Sequence, residues 1–182
     1  MDELHLAQRA AQGDREAFGE LVQLHQTEVY NAAYRMTGNR QEAEDAAQEA
    51  FLRAFHAIQS LDPSRQPGPW FRKIAVNVCL NRLERREPLP LDDDLPLPAA
   101  DPLPEPQTIE REQTRKIRAA LLSLPPRYRA ALELRHFEEL TYAEIAETLH
   151  RPLSDVKSDL FRARKLLAEK LRIEYHEWHE NE

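Results

Sequence analysis

Between Pro88 and Pro106 the chain carries seven prolines, Pro88, Pro90, Pro96, Pro98, Pro102, Pro104 and Pro106, around the acidic triplet Asp92-Asp93-Asp94. Each proline ring fixes φ and removes an amide donor, so this stretch can neither continue a helix nor pair inside a sheet. It reads as an extended, semi-stiff tether. Whatever folds must fold on either side of it. Both flanks repeat apolar residues at three- and four-residue spacing, with no sustained period-two alternation and only 4 glycines in 182 residues. That pattern marks amphipathic helices. The expected fold class is therefore all-α: two small helical domains, residues 1–87 and 109–175, joined by a flexible linker over 88–108 and followed by a tail at 176–182.

Helix ends can be read from capping chemistry. A first helix is predicted from Leu4 to Gln12, stopping at Gly13. Asp14 offers an N-cap for a long helix that ends at Gly38, since glycine accommodates the left-handed residue that closes many helices. Asn39 with Glu42 three residues on approximates a capping box. The helix it starts turns Ala43, Ala46, Ala47, Ala50, Phe51, Ala54, Phe55 and Ile58 inward and leaves Glu44, Asp45, Gln48, Glu49 and Arg53 outside. A loop through Asp62 to Gly68 precedes a helix from about Pro69 to Arg86, in which Trp70 is read as core. Beyond the tether, helices are predicted over Ile109–Leu124 and Arg127–Phe137, broken by Pro125-Pro126. Thr141 and Glu144 form a capping box for Tyr142–Leu149, and Ser154 caps a last helix reaching about Tyr175.

Composition narrows the function classes. No apolar run approaches the roughly 20 residues that span a bilayer, so no membrane insertion is expected. The start, Met1-Asp2-Glu3-Leu4, has neither the basic nor the apolar segment of a signal peptide. The single cysteine, Cys79, lies in an apolar pattern and reads as a buried small hydrophobe in a cytoplasmic protein. No phosphate-binding glycine loop, nucleophile elbow or metal-ligand spacing occurs; His176 and His179 stand alone in the tail. Neither an enzyme nor a cofactor-binding protein is expected.

A net charge of −7 argues at first against nucleic-acid binding. The cations, however, are segregated. From Val156 to Arg172 the chain has Lys157, Arg162, Arg164, Lys165, Lys170 and Arg172 against Asp159 and Glu169, a local +4. This basic stripe follows two helices separated by the short turn His150-Arg151-Pro152, the outline of a helix-turn-helix whose second helix enters the major groove. Ile145, Ala146, Leu149, Leu153, Val156 and Leu160 fall where those two helices must pack together. A cationic ridge there is what phosphate binding needs.

Here the residues resemble a known family. The stretch from Leu124 to Leu149, Leu-Pro-Pro-Arg-Tyr-Arg through Leu-Thr-Tyr-Ala-Glu-Ile-Ala-Glu-Thr-Leu, with Val156 to Leu167 after it, resembles region 4 of extracytoplasmic-function (ECF, group 4) sigma factors. Gly13 to Phe18, Asp45 to Phe55 and Pro69 to Asn77 resemble, in order, the opening, the polymerase-binding helix and the promoter-melting helix of region 2. The resemblance implies a non-enzymatic subunit that binds core RNA polymerase and directs it to promoters. Asp45, Gln48, Glu49 and Arg53 would dock on the coiled coil of the largest subunit, with a further contact to the flap. Ser64, Arg65, Gln66, Trp70, Arg72, Lys73, Asn77 and Arg82 would hold the −10 element. There a base leaves the stack, which calls for polar edge-readers and backbone cations. Arg151, Ser154, Asp155, Lys157, Ser158 and Arg162 would read the −35 element in promoter DNA. An anti-sigma factor is a further partner, and the linker would cross the polymerase near its active-site and RNA-exit channels, where Asp92-Asp93-Asp94 could imitate nucleic acid.

The match is uneven. His150 stands where the family usually has glycine, Glu84 dilutes the basic end of region 2, and Asp155 and Asp159 place carboxylates in the recognition helix. A carboxylate near phosphate repels it, though one at a helix start can cap or accept from cytosine. Two other readings follow: a stand-alone helix-turn-helix regulator, which needs only the second block, and a sigma-like protein with weakened −35 reading.

Overall fold

The computed structural model describes residues 3–62, 64–86 and 109–172, the side chains of 109–111 excepted. The linker with its acidic triplet and the tail with its two histidines lie outside the described residues. Among the described residues there are helices and turns but no strand. In chain order the helices are α1 (Glu3–Ala11), α2 (Arg15–Thr37), α3 (Arg40–Ala57), α4 (Pro67–Arg86), α5 (Ile109–Leu122), α6 (Pro126–His136), α7 (Tyr142–Leu149) and α8 (Leu153–Leu171), with a 3-10 turn at Ile58–Ser60.

Local chemistry sets most boundaries. The Asp14 carboxylate accepts from the Glu16 and Ala17 amides at the start of α2 and takes a 2.6 Å ion pair from Arg9. These bonds hold its pKa below the ordinary carboxylate value, the Ala17 amide contributing most. Gly38 closes α2 at φ 68°, as the sequence predicts. Asn39 caps α3 by accepting from the Glu42 amide at 3.0 Å. The Glu42 carboxylate does not return to Asn39; it pairs with Arg86 at 2.6 Å and ties α3 to the end of α4. At α7 the box is complete in both directions between Thr141 and Glu144. α8 differs from expectation. It starts at Leu153 behind Pro152, whose carbonyl accepts from Asp155 and Val156, so Ser154 lies within the first turn and caps nothing. α8 ends at Leu171, with Arg172 in the left-handed conformation.

In the N-terminal unit α2, α3 and α4 pack on one another, and α1 covers α2. Ala43, Ala46, Ala47, Ala50 and Ala54 form the buried side of α3, small residues that let the neighbouring backbones approach. Phe71 sits at the centre, with Phe51 edge-on at 5.3 Å, Phe18 at 6.1 Å and Trp70 at 5.4 Å. Trp70 is half-buried rather than enclosed, and Phe55, read as inward, is 37% exposed. Cys79 is fully buried, and burial pushes its thiol up to about 12.

In the C-terminal unit α5, α6 and α7 all pack on α8. Leu134, Ile145, Val156, Leu160 and Ala163 fill its interior. Leu153, expected between the helices, is 42% exposed because it occupies the first position of α8 and the inward stripe begins at Val156. The two apolar interiors are continuous: one cluster of buried residues runs from Leu6 to Ala163. α6 and α5 lie against α2, and α6 and α7 lie against α4. No described helix is long and apolar enough to cross a membrane.

Candidate nucleic-acid interface

α8 presents two different faces. Ser154, Lys157, Ser158, Phe161, Arg162 and Lys165 are exposed at three- and four-residue spacing and so form one ridge. Val156, Asp159, Leu160 and Ala163 are buried on the opposite side. Asp159 therefore does not face solvent. Its carboxylate lies between Arg151, which donates a short hydrogen bond from Nη1, and Arg127, whose Nε is 3.6 Å away. Asp155 is half-buried and pairs with Arg151 at 3.7 Å. One arginine in the turn is thus held by two carboxylates of the recognition helix, and one carboxylate is shared with α6. The sequence left open what the Asp159 carboxylate does in this helix; the structure buries it between two arginines, where it braces the helix-turn-helix from within.

The turn itself carries strain. His150 adopts φ 52° and ψ 46° at the C-cap of α7, donating its amide to the last carbonyls of that helix. This left-handed conformation costs an ordinary residue about 1–2 kcal/mol, which accounts for the glycine expected there.

The residues assigned to polymerase docking lie on α3. Asp45, Gln48 and Arg53 are exposed, and Leu52, which the sequence reading did not single out, is 63% exposed between them. Glu49 is half-buried and structural. It accepts from Arg53 at 2.5 Å and from Arg82 Nε at 2.7 Å, clamping α3 to α4. Burial would raise its pKa, but the Arg82 hydrogen bond and the charges of Arg53 and Arg82 hold it below the ordinary value.

The residues assigned to the −10 element do not share one surface. Ser64, Arg65 and Gln66 are exposed on the loop before α4, where Asp62 accepts from the Ser64 amide at 3.0 Å and its hydroxyl at 2.7 Å. Arg82 points to Glu49 on the α3 side. Arg72, Lys73 and Asn77 lie half-buried on the part of α4 that meets the C-terminal unit. Arg72 Nε donates to Glu138 at 2.6 Å and its Nη1 to Glu28. Burial opposes its charge, but the bond to Glu138 and the two carboxylates outweigh that and raise its pKa. Asn77 Nδ2 donates to the Thr148 carbonyl at 2.8 Å.

Several residues that shape these surfaces were missed from sequence. Arg129 is 7% exposed inside the Leu-Pro-Pro-Arg-Tyr-Arg stretch. Its Nη2 donates to the carbonyls of Leu122 at 2.7 Å and Leu124 at 3.0 Å, and its Nη1 to that of Met36. Pro125 and Pro126 have no amides, so α5 ends with carbonyls that need another donor, and that shortage was a readable signal. Arg35 and Glu133, 98 positions apart, left no such signal.

The sigma-70 region 2 family matches residues 21–88, and the sigma-70, region 4 family matches residues 114–167. ECF RNA polymerase sigma factor SigW of Bacillus subtilis is 34% identical over 171 residues, covering 88% of this chain and 91% of that protein. The RNA polymerase sigma-H factor of Pseudomonas aeruginosa is 32% identical over 178 residues, covering 92% of each chain. Among solved structures, CnrH in complex with the cytosolic domain of CnrY shares the fold, with TM-score 0.63 at 24% identity over 93% of this chain and 97% of that one. A region 2 bundle followed by a region 4 helix-turn-helix defines a promoter-recognition subunit of RNA polymerase of the sigma-70 type. The chain belongs to the ECF RNA polymerase sigma factors within that type. It directs RNA polymerase in promoter recognition and is not an enzyme.

Proposed function

We propose that this sigma factor divides promoter recognition between a region 2 unit at residues 1–87 and a region 4 unit at 109–175, tethered by 88–108. The exposed ridge Ser154, Lys157, Ser158 and Arg162, with Arg151 at the turn, takes the −35 element in the major groove. The observation that carries this is the inward orientation of Asp159, which leaves that ridge cationic and polar. The loop at Ser64, Arg65 and Gln66 and the α4 residues Trp70, Arg72, Lys73 and Asn77 take the −10 element; Arg82, bound to Glu49, supports the bundle behind them. Asp45, Gln48, Leu52 and Arg53 form the docking face for the coiled coil of core polymerase, with region 4 on the flap. The protein works where polymerase and chromosome are, in the cytoplasm. A protein inhibitor of the anti-sigma kind is a further partner; the fold neighbour from Bartonella quintana is a sigma factor bound to the anti-sigma factor NepR.

The docking face is tested by the double variant Asp45→Lys/Gln48→Ala. Both side chains are exposed, so helix content and melting should stay at wild-type values while co-elution with core polymerase is lost. Co-elution at wild-type level would remove this face from the polymerase contact.

A further inference from the structure

The side of α4 assigned to the −10 element is already engaged within the chain. Arg72 is held by Glu138, whose side chain is only 1% exposed, and Asn77 by the carbonyl of Thr148 near the end of α7. Glu144 at the start of α7 feels the charges of Lys73 and Arg65. So two of the groups assigned to single-stranded promoter DNA, Arg72 and Asn77, are hydrogen-bonded to a carboxylate and a helix-end carbonyl of region 4, and two more, Lys73 and Arg65, lie in the field of a third acceptor, Glu144. These are the partners a phosphate backbone would replace: a guanidinium binds carboxylate and phosphate oxygens with the same charge-assisted geometry, and carbonyls at a helix C-terminus carry partial negative charge.

Contacts away from the DNA face hold this arrangement in register. Arg35 of α2 grips Glu133 of α6 at 2.6 and 2.9 Å, with the Phe137 ring 4.0 Å from its guanidinium. Burial raises the pKa of Glu133 against the opposing pull of Arg35. Leu122 fills the space beside Gly38, where a Cβ would stand 2.6 Å from its Cδ1. A cleft of about 570 Å³ opens between the units, lined among others by Arg53, Asn77 and Arg151. Those three residues were assigned to polymerase, −10 and −35 contacts respectively. A cleft of that size suits a small ligand or a few side chains, not a duplex.

We propose that region 4 is an internal competitor of promoter DNA: in the free protein Glu138 and the end of α7 occupy the −10 face of α4, and that face becomes available when region 4 moves away. The inference rests on the assignment of α4 to the −10 element. Cations already neutralised inside the chain release no counterion when DNA arrives, so the closed protein has little electrostatic drive toward it. Core polymerase, by binding the two units at separate places, favours the open form only through its differential affinity for that form.

The test uses the full chain and a fluorescent single-stranded DNA pool of random sequence, without polymerase. Arg35→Glu sets two carboxylates against each other, and Glu138→Gln removes the charge facing Arg72 while keeping its shape. Neither residue belongs to the assigned DNA-binding set. Each variant should bind the pool about tenfold more tightly than wild type and show a larger radius of gyration by small-angle scattering. The swap Arg35→Glu/Glu133→Arg should return both readings to wild type. Unchanged affinity in folded Glu138→Gln, or tighter binding with no expansion, overturns the proposal. Initiation by wild-type protein with core polymerase is measured in parallel. Its absence would count against the functional assignment, whereas initiation alongside unaltered pool binding would count against the closed state alone.

Discussion

Replacing Asp159 by alanine separates two accounts of the recognition helix by the sign of the effect. Were Asp159 to face DNA, its removal would relieve repulsion from phosphate and tighten binding. The structure instead places it 4% exposed between Arg151 and Arg127. Removing one member of a buried ion pair costs about 3–5 kcal/mol, because the partner's charge is left unpaired. Here the two arginine side chains are 24% and 25% exposed and can recover water, so the expected loss is smaller, about 2 kcal/mol. That corresponds to roughly a thirtyfold fall in the folding constant. Arg151 would keep only its 3.7 Å contact with Asp155, so the turn that presents the cationic ridge should loosen and −35 affinity should fall with stability. Urea unfolding of the full chain gives the first quantity. Titration of the polymerase-bound factor with −35 duplex gives the second. Unchanged stability with tighter DNA binding would refute the reasoning.

Three further outcomes follow from the same geometry. His150→Gly removes the left-handed penalty at the end of α7, offset in part by the greater freedom of glycine when unfolded, and should raise stability by about 0.5–1 kcal/mol in a denaturant melt. Asp14→Ala should lower the melting temperature at neutral pH. The Asp14 pKa is depressed in the folded state, so its contribution is complete above the ordinary value of 3.8 and is lost as pH falls through the lowered one; the gap between variant and wild type should therefore close in acid. Arg162→Ala and Lys157→Ala should each weaken −35 binding and reduce the slope of log affinity against log salt by about one. Slopes that do not move would take both residues out of the interface.

What the sequence shows plainly is whatever depends on near neighbours. Asp14, Gly38 and the Thr141–Glu144 box end their helices as their chemistry requires, since a cap acts within three or four residues. Ser154 misled for a related reason: a serine near a helix start is a good cap, but the N-cap position falls earlier in the chain, at Pro152, and α8 starts at Leu153. The place of Asp159 was legible although its role was left open. It shares the inward stripe of Val156, Leu160 and Ala163. The contacts between the two units could not be foreseen in the same way. Arg35 with Glu133 and Arg72 with Glu138 are separated by 98 and 66 positions, and no period or motif connects such pairs. A Pro-rich tether suggests two independent bodies, yet the apolar interior passes from one to the other and leaves Arg72 and Asn77 at the junction.

The most direct measurement is transcription in vitro, with core polymerase, purified factor and a randomised promoter library, followed by sequencing of the transcripts. Start sites should be enriched behind two short sequence elements at a fixed spacing, one read as duplex by the α8 ridge and one as melted strand by α4 and its preceding loop. Initiation with the upstream element absent, or no initiation above core polymerase alone, would contradict a factor that reads promoters with two tethered units.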